Sequence, residues 1–118
     1  MNELSLAVVG MRHPNADGGN RQFEAMLCNP GDPIELRPEP ENPHDERAIA
    51  VYSERGVQLG YVSAERAWLL GRRVQEGAEI VALVQDASAG RMIIRISFDG
   101  CAPSLPNPRI TQPIDEWA

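Results

Sequence analysis

Prolines and glycines punctuate this chain so closely that it breaks into short apolar runs, and only one stretch has both the length and the periodicity of a substantial helix. Glycine and asparagine tolerate positive φ and proline withholds a backbone donor, so each cluster of them ends an element. Leu4 to Val9 reads as a first strand closed by Gly10, and Met11 to Asn20 reads as a loop. Arg21 to Leu27 reads as a second strand, with Phe23, Ala25 and Leu27 on one face. Ile34 and Leu36 alternate with Glu35 and Arg37, and Pro38, Pro40 and Pro43 then keep the chain irregular as far as Asp45. Ala48 to Tyr52 and Val57 to Val62 form a hairpin around Glu54-Arg55-Gly56. Glu79 to Ala87 and Met92 to Phe98 supply two more strands.

The helix lies between those last two pairs. Ser63 suits its N-cap, Glu65 its first turn, Arg72 and Arg73 its last, and Gly77 its end. Ala67, Leu70 and Val74 recur at three- and four-residue spacing, which predicts a stripe facing the core. About six short strands and one inserted helix predict a mainly β fold, a small OB-like or SH3-like barrel that closes its own strand edges. Residues 1–100 read as the barrel and 101–118 as an extended, Pro-rich tail that packs through Trp117 or stays mobile.

A chain of 118 residues fits one domain, and its 42% of hydrophobic residues allow one core. No apolar run approaches the roughly 20 residues that span a bilayer, and Met1 to Ser5 lacks a secretory start, so a cytoplasmic location is expected. Cys28 and Cys101 are widely spaced and are expected to be free thiols. With His13 and His44 they give no zinc-ligand spacing, and no cofactor motif is present. His44 beside Asp45 suggests hydrolysis only superficially, since neighbours in a Pro-fixed turn rarely converge on one reacting atom. No nucleophile elbow or phosphate-cradling glycine loop occurs, and the expectation is a protein that is not an enzyme. Seventeen acids oppose eleven bases, a net charge of −6, which excludes a broad basic face for duplex DNA. All eleven bases are Arg; this suits phosphate and base stacking, and equally reflects codon bias in a GC-rich genome.

Two blocks narrow the reading. One is Ala7-Val8-Val9-Gly10-Met11-Arg12-His13. The other runs from Leu36 through Glu39-Pro40-Glu41-Asn42-Pro43-His44-Asp45 to Ala48-Ile49-Ala50-Val51, followed by Gly60-Tyr61-Val62. Together they resemble the HIRAN domain, whose pattern is acidic-Pro, Asn-Pro-aromatic-Asp, Ala-Ile-x-Val and then a Gly-Tyr strand ahead of a helix. The resemblance covers Leu4 to about Phe98. It implies an OB-like barrel that, in DNA-remodelling helicases, holds the 3′ end of single-stranded DNA in repair or replication-fork processing, with a helicase or nuclease as protein partner. Carried over by position, Arg12 contacts phosphate, Asn42 and Asp45 shape a pocket for the terminal 3′-hydroxyl, and Tyr61 lies near that pocket. His13 and His44 stand where DNA-end-binding members carry Tyr, and Ser63-Ala64-Glu65 stands where a basic residue is expected.

The residues themselves support that chemistry. A carboxylate accepts a strong charge-assisted bond from a sugar hydroxyl, Arg12 donates to a neighbouring phosphate, and imidazoles stack on a terminal base. They support plainer readings too: a turn at Asn42-Pro43 with Asp45 bonding its own backbone, and histidines that are ordinary loop residues. The rival function is a protein-interaction barrel that docks a peptide or sheet edge. A basic groove on the Arg12 and Asp45 face would favour DNA; an exposed apolar edge would favour a peptide.

Overall fold

The computed structural model describes residues 2–88 and 90–105. Its strands are β1 (Glu3–Val9), β2 (Pro33–Pro38), β3 (Ile49–Tyr52), β4 (Gln58–Val62), β5 (Val81–Ser88) and β6 (Arg91–Ser97). They close into an antiparallel barrel in the order β1-β4-β3-β2-β5-β6. The period-two pattern decides which side chains enter it. Leu6 and Val8, Leu59, Ala82 and Val84, and Met92, Ile94 and Ile96 are all buried, while their sequence neighbours on β1, β5 and β6, Ser97 excepted, are more exposed. The first strand and the 49–62 hairpin lie side by side as the sequence suggests, with Val9 opposite Tyr61 and Ala50 opposite Tyr61 on the other edge.

Gly60 is what lets β1 approach β4 so closely. A Cβ at this position would stand 2.3 Å from the Val9 carbonyl oxygen and 2.8 Å from Val8 Cγ1, and its φ of +154° favours glycine.

Two helices complete the fold. The longer, α2 (Ala64–Gln75), is the one expected; Ala67 and Leu70 enter the core, and Gly77 donates to the Val74 carbonyl where it ends. Two details differ from expectation. Ser63 occupies the N-cap position but its hydroxyl makes no capping bond. Val74 is 53% exposed, because the apolar stripe leaves the barrel one turn before the helix finishes. Between α2 and the splayed ends of β2 and β5 lies an open apolar groove of about 900 Å³, lined by Ile34, Leu36, Trp68 and Leu70 among others.

The shorter helix, α1 (Arg21–Met26), replaces the strand expected over 21–27. The Asn20 side chain caps it by accepting from Phe23 N–H at 2.9 Å. Its buried residues are Arg21, Glu24 and Ala25, at helical spacing, whereas Phe23 and Leu27 are exposed. The alternation of Phe23, Ala25 and Leu27 misleads because the inward face here is polar. Glu24 accepts from Ser53 Oγ at 2.7 Å and from Arg55 Nη2 at 2.5 Å, which fixes α1 to the β3–β4 hairpin. Burial of such a carboxylate is tolerated only when its bonds are made.

Beyond β6, Ser97 Oγ donates to the Cys101 carbonyl, Pro103 is buried, and the Ser104 N–H donates to the Glu3 carboxylate at 3.1 Å. The tail therefore starts by packing on the barrel wall. Trp117 lies outside the described residues. Cys28 is buried and Cys101 exposed, both free thiols as expected. No described helix is long and apolar enough to cross a membrane.

Candidate functional site

Tyr61 is the point at which the two sequence blocks meet. It sits on β4 opposite Val9, the last residue of β1, so the turn carrying Arg12 and His13 emerges beside it. Its hydroxyl reaches the other way and donates to Glu39 Oε1 at 2.8 Å, at the start of the β2–β3 loop. Glu39 Oε1 also accepts from Asn42 Nδ2 at 2.9 Å. Glu39, Pro40, Glu41, Asn42, Pro43 and Tyr61 line one shallow depression.

The β2–β3 loop owes its shape to its own side chains. Asn42 Oδ1 accepts from the N–H groups of His44 and Asp45 at 2.8 and 3.1 Å, and Asp45 Oδ1 accepts from Arg47 N–H at 2.9 Å. These are the Asx-type bonds of the plainer reading. They do not exhaust the side chains: Asn42 keeps its amide protons toward Glu39, and Asp45 keeps its second oxygen. Backbone bonds from Glu39 N–H to the Ala48 carbonyl and from Ala48 N–H to the Asp45 carbonyl close the loop onto the barrel.

On the other side, Arg21 holds the loop after β1. It is 8% exposed, donates from Nε to Asn15 Oδ1 at 2.7 Å and from Nη1 to the Gly10 carbonyl at 2.8 Å, and lies 5.7 Å from the Tyr61 ring centroid. Asn15 Nδ2 in turn donates to the Gln58 carbonyl on β4 at 3.0 Å. The 10–20 loop is thus bonded to β4 through Asn15 and held at Gly10 by Arg21, while Arg12 and His13 stay exposed at its start.

Of the six residues expected at the site, Asn42 and Tyr61 share the depression. Asp45 and His44 lie just beyond it on the same loop, and Arg12 and His13 lie across Tyr61 on the β1 turn. Arg12 forms no ion pair with Asp45 among the described residues. The face is not a basic groove, since residues 39–47 carry Glu39, Glu41, Asp45 and Glu46 against Arg47. Sequence reasoning passed over Glu39 and Arg21. Glu39 was visible in the acidic-Pro element, but nothing marked its tie to Tyr61; Arg21 was hidden by the strand reading of its segment. No group of three or more His, Cys, Asp or Glu residues among those described could hold a metal ion.

Comparison with known proteins agrees with the fold. The HIRAN domain of human HLTF superposes with a TM-score of 0.62 at 24% identity, over 82% of this chain and 74% of that one. The same human domain in its DNA-bound conformation gives 0.59 at 24%, over 83% and 75%. A Lactobacillus plantarum protein of solved structure gives 0.61 at 20%, over 82% and 93%. No match is found among curated proteins. The family model of the HIRAN domain matches residues 1–100, the β1 turn, the Asn42-Pro43 loop and the Tyr61 strand included, and on that match the chain belongs to the HIRAN domain family.

Proposed function

We propose that this protein is a nucleic-acid-binding module, without catalysis of its own, that holds the 3′-hydroxyl end of single-stranded DNA. The observation that carries the reading is the convergence on Tyr61 of the two sequence blocks, both within the family match, in a fold shared with a HIRAN domain solved in its DNA-bound conformation. Arg12 donates to the phosphate of the last linkage, exposed His13 and His44 flank the terminal base, and the free oxygen of Asp45 accepts from the 3′-hydroxyl. Asn42 shapes the loop that presents Asp45. A helicase or nuclease working at DNA ends is the natural protein partner, and the cytoplasm the natural location.

Fluorescence anisotropy with short strands differing only at the 3′ terminus tests this. A hydrogen bond to a charged group is worth roughly 1.5–3 kcal/mol, about 10- to 150-fold in affinity. The 3′-hydroxyl strand should therefore bind that much more tightly than the 3′-phosphate strand. Asp45→Ala should narrow the gap, and Arg12→Ala should weaken both strands. With one or two phosphate contacts the salt slope should be about −0.7 to −1.5, and one steeper than about −3 would reveal a basic footprint foreign to this design.

A second reading has its own observation, the apolar groove beside α2 with Trp68 and Val74 half exposed at its rim. If neither strand binds, peptide docking there becomes the leading reading.

A further inference from the structure

From the hydrogen-bond directions around Tyr61, we infer that Glu39 is a second specificity-determining residue of the site, beside Asp45, selecting a terminal group that donates a hydrogen bond over one that carries negative charge. This rests on the end-binding reading above and adds to it a residue and a cause.

Asn42 Oδ1 already accepts from two backbone N–H groups, so the orientation of its amide is fixed and Nδ2 must face Glu39. Tyr61 has one proton, and at 2.8 Å it is given to Glu39 Oε1. The phenol oxygen that faces the depression is therefore left as an acceptor. Glu39 Oε2 takes no side-chain donor among the described residues, and neither does Asp45 Oδ2. Pro40 and Pro43 line the same depression and have no N–H to offer. Apart from a remaining amide proton on Asn42, the side chains present acceptors to whatever enters.

A sugar hydroxyl meets such a surface with its proton. A phosphate monoester meets it with oxygens that need donors and with charge of the same sign as Glu39. Glu39 acts twice in this discrimination, by its own charge and by withdrawing the Tyr61 proton from the ligand. Asp45 does not do the second of these, because the Tyr61 hydroxyl donates to Glu39 and not to it.

The test titrates wild type, Glu39→Gln and Tyr61→Phe with three strands ending in a 3′-hydroxyl, a 3′-phosphate or a 3′-deoxy sugar. The deoxy end lacks the proton without adding charge, so it separates the two effects. Wild type should rank hydroxyl above deoxy above phosphate. Glu39→Gln is nearly isosteric but removes the charge and offers amide protons, so the hydroxyl-to-phosphate ratio should fall by about ten-fold or more. Tyr61→Phe leaves the charge in place and should keep the phosphate penalty, and it also serves if Glu39→Gln does not fold. A uniform loss across all three strands in Glu39→Gln would show a merely structural role and overturn the inference. So would loss of the phosphate penalty in Tyr61→Phe. If wild type ranks the ends as stated and Glu39→Gln ranks them unchanged, the end-binding reading survives and this inference falls. If wild type binds no strand, both fall together.

Discussion

Substituting Gly60 by alanine should be the most damaging one-methyl change this barrel can suffer. The new Cβ would stand 2.3 Å from a backbone oxygen of β1 and 2.8 Å from Val8 Cγ1. Ordinary contacts of this kind lie near 3.5 Å, so the seam must open by roughly 1 Å. Val9 is a backbone partner and cannot rotate away. Overpacking of this sort costs about 1–3 kcal/mol. A residue with a side chain held at φ +154° costs about another 1–3. Weakening of the short Val8–Val62 and Val9–Tyr61 pairing adds about 1. The expected total is about 3–7 kcal/mol, against about 5–15 for a whole small domain. Urea unfolding should show the midpoint falling by about 1 M or more, at a slope of roughly 1–3 kcal/mol per molar. Gly56→Ala provides the control, since its φ is +80° but no atom lies within 4 Å of the added carbon. It should cost about 1–2 kcal/mol from backbone strain alone. A Gly60→Ala loss no larger than the Gly56→Ala loss would refute the close-approach argument.

Leu70→Ala should cost about 2–5 kcal/mol, as for other fully buried leucines, whereas Val74→Ala, at a half-exposed position, should cost under about 1; equal losses in thermal unfolding would mean that α2 packs differently. Burial, and then the charge of nearby Glu24, push the Cys28 thiol above its ordinary pKa, so the fold favours the neutral form. That stability is complete below the unfolded thiol's pKa, about 8.5, and is lost as pH rises from there toward the folded value. Urea midpoints between pH 7 and 10 should therefore decline more for wild type than for Cys28→Ala, and equal declines would remove Cys28 from the account. In the native protein iodoacetamide should label Cys101 and spare Cys28.

The strands were legible as short, largely apolar runs between turn residues; polar Ser5, Arg91 and Arg95 mark the less buried face in places, although Ala7 and Ile93 on that face are apolar. Leu70 was legible by its helical spacing. The failures occur where polarity and burial part company. Arg21 and Glu24 are buried because each has found partners outside its own helix, Gly10 and Asn15 on the preceding loop for one, Ser53 and Arg55 on a distant hairpin for the other. No local pattern announces those partners, so α1 was taken for a strand with the wrong face inward. At the site, the Asn42-to-Asp45 loop was read both as a pocket and as a turn, and its bonds are those of the turn. What one-dimensional reading could not supply was the contact between residues 39 and 61, which exists only because β2, β3 and β4 lie side by side.

The strand order has a consequence for the history of each molecule. The β2-β3-β4 meander and the β5-β6 hairpin join neighbours in sequence and can form early, but β1 must pair with β4 on one edge and β6 on the other. Joining such distant segments is slow, and barrels built this way typically fold in milliseconds to seconds. The turn bearing Arg12 and His13 reaches Tyr61 only when β1 docks. A refolding chain can thus hold both of its local sheets and still lack the Arg12 half of its binding site, so full-strength ligand binding recorded during refolding would time the closing of the barrel.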